Sequence, residues 1–142
     1  MNAFVYNNEL YCGFGASDRT VSSVYTDIRK YDFSFSSWSY FTEIPNIEGF
    51  AGGYTFLIND VLYIGGEVNS MGMKLNIFYA FNFNTKKWNV LDNSPARISE
   101  GASFSIGKDF YVGGSGDLNF YKYDTTNESW SFLSPMKVIT RD

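Results

Sequence analysis

Three arginines, Arg19, Arg97 and Arg141, stand in polar, turn-rich stretches of the chain. A guanidinium presents a planar fork of donors that fits a carboxylate, so three of them on one rim would bind an anionic group. Asp18 and Tyr25 accompany Arg19 in a long loop over 15–26, Met71 and Lys74 stand in a second loop over 67–75, and Glu100 lies close to Arg97. Asp18, Arg19, Tyr25, Met71, Lys74, Arg97, Glu100 and Arg141 are therefore the candidate ligand-binding residues. The competing reading of each charge is a solvated loop side chain. Met71 suits an adaptable binding surface or packing beneath its own loop equally well.

Catalytic chemistry finds less support. The chain holds no His, which excludes a Ser-His-Asp triad, His-ligated metal and a His-based pH switch within these residues. A single Cys excludes an internal disulfide and a Cys-cluster metal site. Gly13-Phe14-Gly15 and Gly113-Gly114-Ser115-Gly116 look like phosphate loops, but no helical pattern follows either. Asn127-Glu128-Ser129 satisfies the glycosylation sequon only inside a repeated tight turn. No pair of carboxylates stands out for acid–base work. The expectation is no catalytic residue, no metal ligand and no cofactor in this chain.

The elements that must position these residues follow from a repeat. Leu10-Tyr11-Cys12-Gly13-Phe14, Leu62-Tyr63-Ile64-Gly65-Gly66 and Phe110-Tyr111-Val112-Gly113-Gly114 share one pattern, their tyrosines 52 and 48 residues apart. Tyr31-Asp32 precedes Trp38, Phe81-Asn82 precedes Trp88, and Tyr123-Asp124 precedes Trp130, in each case with the aromatic seven residues ahead of the indole. Phe4, Phe56 and Phe104 open the units, and Pro45, Pro95 and Pro135 close them. All three tryptophans and all three prolines of the chain fall in this register.

Each unit reads as short strands without helical periodicity. Leu57-Ile58, Asn59-Asp60 and Val61-Leu62-Tyr63-Ile64 predict a two-residue hairpin. Val5-Tyr6 with Asn7-Asn8, and Ser105-Ile106 with Gly107-Lys108, repeat it. A third strand over 77–83 and a fourth over 88–91 complete a four-stranded antiparallel sheet, which is one propeller blade. Cys12 aligns with Ile64 and Val112 and so reads as a small core residue, not a nucleophile.

Aromatic-Tyr-x-Gly-Gly, then Tyr-Asp, then Trp, then Pro resembles the kelch repeat, in three copies over nearly the whole chain. Two departures stand out: Gly13-Phe14-Gly15 replaces the glycine pair, which predicts a differently bent first blade, and Phe81-Asn82 replaces Tyr-Asp. The resemblance implies an all-β fold, a partial kelch-type β-propeller of three four-stranded antiparallel blades. Blade 1 would span about 1–45, blade 2 about 46–95 and blade 3 about 96–135, with 136–142 starting a further blade. On the resemblance, Tyr11, Gly13, Tyr31, Asp32, Trp38, Tyr63, Gly65, Gly66, Trp88, Tyr111, Gly113, Gly114, Tyr123, Asp124 and Trp130 are motif residues that hold the blades.

Length and charge bound the partners. The 142 residues suit one compact domain. Aromatic residues at 20% give an apolar content that a disordered chain lacks. A net charge of −4 supplies no field for nucleic acid or an anionic membrane. No run of 18 apolar residues occurs, so membrane insertion by a helix is not expected. Three blades cannot close a ring that needs four to eight. Joined end to end, Asp142-Met1-Asn2-Ala3-Phe4 aligns with Glu100-Gly101-Ala102-Ser103-Phe104. Further blades are expected from the rest of a longer chain or from a second copy. The resemblance implies a binding module that presents variable loops to a protein or glycan. The alternative is a fragment of a sugar-acting propeller enzyme of the galactose oxidase or sialic-acid mutarotase kind. A structural segment of a cell-surface protein is a third reading. The compartment is open, with export favoured by analogy with bacterial relatives alone.

Overall fold

The computed structural model of the chain describes residues 2–16, 24–45, 51–65, 71, 76–92, 94–95, 102–113 and 118–135. Among the described residues twelve strands form three antiparallel four-stranded sheets. Blade 1 holds β1 (Asn2–Tyr6), β2 (Glu9–Ala16), β3 (Val24–Asp32) and β4 (Ser37–Glu43). Blade 2 holds β5 (Tyr54–Ile58), β6 (Val61–Gly65), β7 (Phe78–Asn82) and β8 (Lys87–Val90). Blade 3 holds β9 (Ala102–Ile106), β10 (Asp109–Gly113), β11 (Phe120–Asp124) and β12 (Ser129–Leu133). The first strands β1, β5 and β9 meet in that order, so the blades fan out from one side.

The turn chemistry sets the register. Tyr6 pairs with Glu9, Ile58 with Val61 and Ile106 with Asp109, so each hairpin has a two-residue loop. Asn7 and Asn8, and likewise Asn59 and Asp60, both lie at positive φ, as a type I′ turn requires. At the third hairpin Gly107 is at positive φ and Lys108 is not, the pattern of a type II′ turn.

The third-to-fourth strand turns are built identically in all three blades. Asp32 Oδ1 accepts the N–H groups of Ser34 and Phe35 at 2.8 and 3.1 Å. Asn82 Oδ1 accepts those of Asn84 and Thr85 at 2.9 and 3.0 Å, and Asp124 Oδ1 those of Thr126 and Asn127 at 2.8 and 3.2 Å. These short polar side chains stand in for the strand ladder where the chain reverses. The bonds to Asp124 hold its carboxyl below the usual carboxylate range.

Two apolar clusters join the sheets. Tyr11, Phe14 and Ile28 of blade 1 meet Leu62, Ile64, Tyr79, Phe81 and Phe83, with Phe4, Tyr6, Phe41 and Trp88 at the edge. Tyr54, Phe56, Ile58 and Phe78 of blade 2 meet Phe110, Val112 and Tyr123, with Tyr63 and Trp130 at the edge. Blade 2 is thus covered on both faces, and β5 and β6 are apolar on both sides for that reason. Burial pushes the phenols of Tyr11 and Tyr123 above their ordinary range.

The motif glycines have a specific cause. A Cβ on Gly13 would stand 2.5 Å from the Asp27 carbonyl oxygen, and one on Gly113 would stand 2.8 Å from Phe120 Cα. At Gly65 the obstacle is the ring of Tyr54. The structure finds a Tyr ring at one of them and the backbone of the neighbouring strand at the other two. Gly13-Phe14-Gly15 does bend blade 1 differently: the β2–β3 register shifts between Gly13 and Gly15, with Phe14 and Gly15 at positive φ.

Candidate functional site

The two ends of each blade differ. One rim carries the two-residue hairpins and the Asp- or Asn-capped turns. The other carries the connections from second to third strand, 17–23, 66–77 and 114–119, which vary in length, together with the links between blades. Asp18, Arg19, Lys74, Arg97, Glu100 and Arg141 lie outside the described residues, as do Gly66 and Gly114. Met71 is exposed there.

Tyr25 corrects the sequence reading. It does not lie in a loop: β2 runs on to Ala16 and β3 begins at Val24, and Ala16 pairs with Val24. The shifted register lets the two strands run past the point where the other blades' sheets end. Tyr25 is half exposed on the outer face of blade 1.

That face holds a groove of about 480 Å³ lined by Cys12, Tyr25, Asp27, Arg29 and Trp38. Arg29 Nε donates to Asp27 Oδ2 at 2.7 Å. Cys12 is only half-buried here, because no blade packs over it, whereas Ile64 and Val112 at the matching positions are fully buried. Burial by its own sheet still raises the Cys12 thiol above its usual range. Flat rings beside a guanidinium–carboxylate pair can stack on an apolar surface or a ring and hydrogen-bond at its margin.

Arg29 and Asp27 were missed by sequence reasoning. A signal existed: Arg29 stands two residues before Tyr31, where the other copies place Tyr79 and Tyr121 before their own aromatics. A charge at a position otherwise aromatic marks a face with a different neighbour.

Around the groove the repeat recurs without its cover. Tyr31 and Trp38 lie 5.0 Å apart, as do Phe81 and Trp88, and Tyr123 and Trp130. Trp88 and Trp130 face the preceding blade, and Trp88 Nε1 donates to Thr42 Oγ1 of blade 1 at 3.1 Å. Among the described residues no blade covers Trp38, which is 45% exposed.

No protein-family model matches the chain. Over 90 residues it is 32% identical to the N-(sulfonatooxy)prop-2-enimidothioate sulfolyase of Thlaspi arvense, a match covering 56% of this chain and 26% of that protein. The solved structure of YjhT superposes with a TM-score of 0.75 at 19% identity, over 94% of this chain and 51% of that one. The chain therefore spans about a quarter of the curated relative and half of the solved neighbour. The fold is all-β, a partial kelch-type β-propeller of three four-stranded antiparallel blades.

Proposed function

We propose that the chain is a kelch-repeat binding module that presents the loops of one rim to a protein or glycan partner, with no catalysis of its own. The asymmetry of the two rims carries this reading. One rim repeats the same turns with the same side-chain caps. The other varies in length and sequence on an unchanged scaffold, which is how binding surfaces are built on rigid folds. Glycan arrays and affinity capture with the 142-residue chain test it. Replacing Asp18, Arg19 and Lys74 by Ala is expected to abolish capture, while Asn84→Ala on the opposite rim leaves it intact. Capture that survives the loop replacement, or conversion of a sugar by the isolated chain, overturns the proposal.

A second reading is that the chain is part of a kelch-type propeller enzyme acting on sugars or related small molecules. The 32% identity to the Thlaspi arvense sulfolyase favours it. Consumption of N-(sulfonatooxy)prop-2-enimidothioate by this chain would support that reading over the first, and no consumption would leave the binding module standing.

A further inference from the structure

Among the described residues two sheet faces are uncovered, and the repeat makes them counterparts. At both existing junctions, one blade offers a stacked Phe–Tyr pair. Phe4 and Tyr11 stack at 5.3 Å toward blade 2, and Phe56 and Tyr63 stack at 4.7 Å toward blade 3. The blade received against each pair brings an aromatic–Trp couple. Phe104 and Tyr111 form the same stack at 5.2 Å, but on the open side of blade 3, where Phe104 and Ile106 are exposed. The aromatic–Trp couple without a stack to meet is Tyr31–Trp38, on the open side of blade 1.

The details match further. Phe83 packs at the first junction against Tyr6 at 3.8 Å, Tyr11 at 5.7 Å and Phe4 at 6.3 Å. Phe33 holds the same place in blade 1, five residues before its Trp, and is 69% exposed. The residues matching Tyr6, Tyr11 and Phe4 in blade 3 are Ile106, Tyr111 and Phe104, so the cleft that Phe33 lacks exists at the other end of the chain. Each face carries an ion pair, Arg29 with Asp27 on blade 1 and Lys122 with Asp109 at 2.6 Å on blade 3. Exposed aromatic patches of this extent mark an interaction surface.

We propose that two copies of this chain dock head to tail, the open face of blade 1 on each against the open face of blade 3 on the other, closing a six-bladed ring. Six blades fall within the four to eight that close a propeller. The superposition on half of a chain of the same fold is consistent with a missing complement of equal size. A two-fold axis makes the two new junctions equivalent, so no open face is left to propagate a fibre. Phe33 enters between Phe104, Ile106 and Tyr111 of the second copy, Trp38 becomes buried, and the groove beside Arg29 is filled.

Native mass measurement of the 142-residue chain should give twice 16.1 kDa. Phe33→Arg and Phe104→Arg, both at exposed positions of the single chain, should each halve that mass with the strand circular-dichroism signal kept. Mixing the two variants restores one unaltered junction and should partly recover the dimer. A monomeric unaltered chain, an assembly larger than two, or a dimer indifferent to both substitutions overturns the proposal. A measurement without variants stands beside these. Dilution through dissociation should open one indole per chain to acrylamide quenching, and unchanged quenching across that dilution also overturns it.

Discussion

Phe83 and Phe33 occupy the same place in successive repeats, yet one is 3% and the other 69% exposed. Their local sequences, strands and turns are alike. The difference is a neighbour: Phe83 has blade 1 against it, while Phe33 faces outward. The same holds for whole strands, since β5 alternates buried and half-buried residues while β9 is exposed throughout. Burial in this fold is therefore a property of the junction and not of the blade, so a residue's contribution to stability is set by what covers it.

The largest test of that contrast is truncation at matched positions. At concentrations where the chain is single, Phe83→Ala should cost about 3–5 kcal/mol in urea unfolding, as for other buried rings. Phe33→Ala should cost about 0.5 kcal/mol or less, as for surface sites. Equal losses would break the comparison.

Glycines provide a control that should ignore coverage. Gly13→Ala and Gly113→Ala both force a methyl into a strand backbone of their own sheet and should each cost about 1–3 kcal/mol. A large loss at only one would mean that the outer blades differ by more than their neighbours.

A smaller effect is expected at the indoles. Trp88→Phe removes the hydrogen bond to Thr42 and should lower stability by about 1 kcal/mol, while Trp38→Phe should change little in the single chain.

The smallest effect belongs to the capped turns. Asp32→Ala, Asn82→Ala and Asp124→Ala should each lower the melting temperature slightly and similarly, whatever the coverage. Acid should separate two of them. The folded carboxyl of Asp124 sits below its unfolded value, so its contribution is present above about pH 3.9 and is lost as pH falls through the folded value. Asn82 has no such titration. The difference between the unaltered chain and Asp124→Ala should shrink toward low pH, while that for Asn82→Ala should not.

Much of the fold was legible because it is written locally. Asn-Asn, Asn-Asp and Gly-Lys name their turns, and Asp32, Asn82 and Asp124 cap theirs within three residues of sequence. Three phased copies then give the blades and their order. What was not legible depends on partners distant in sequence. Nothing local tells that Gly13 is needed for the Asp27 carbonyl, or that a register shift turns Tyr25 from loop to strand. Leu10-Tyr11-Cys12 reads as a core strand as readily as Leu62-Tyr63-Ile64, yet Cys12 lines an open groove. Of the residues that the sequence put forward for binding, Tyr25 and Met71 fall within the described residues.

Among the described residues the sheets meet in sequence order, β1 with β5 and β5 with β9. In such a linear stack either outer sheet can fray without the other noticing, while the middle one cannot open unless both junctions yield. At concentrations where the chain is single, amide hydrogens of residues 54–65 and 78–82 should then be the slowest to exchange, with protection grading off toward both termini.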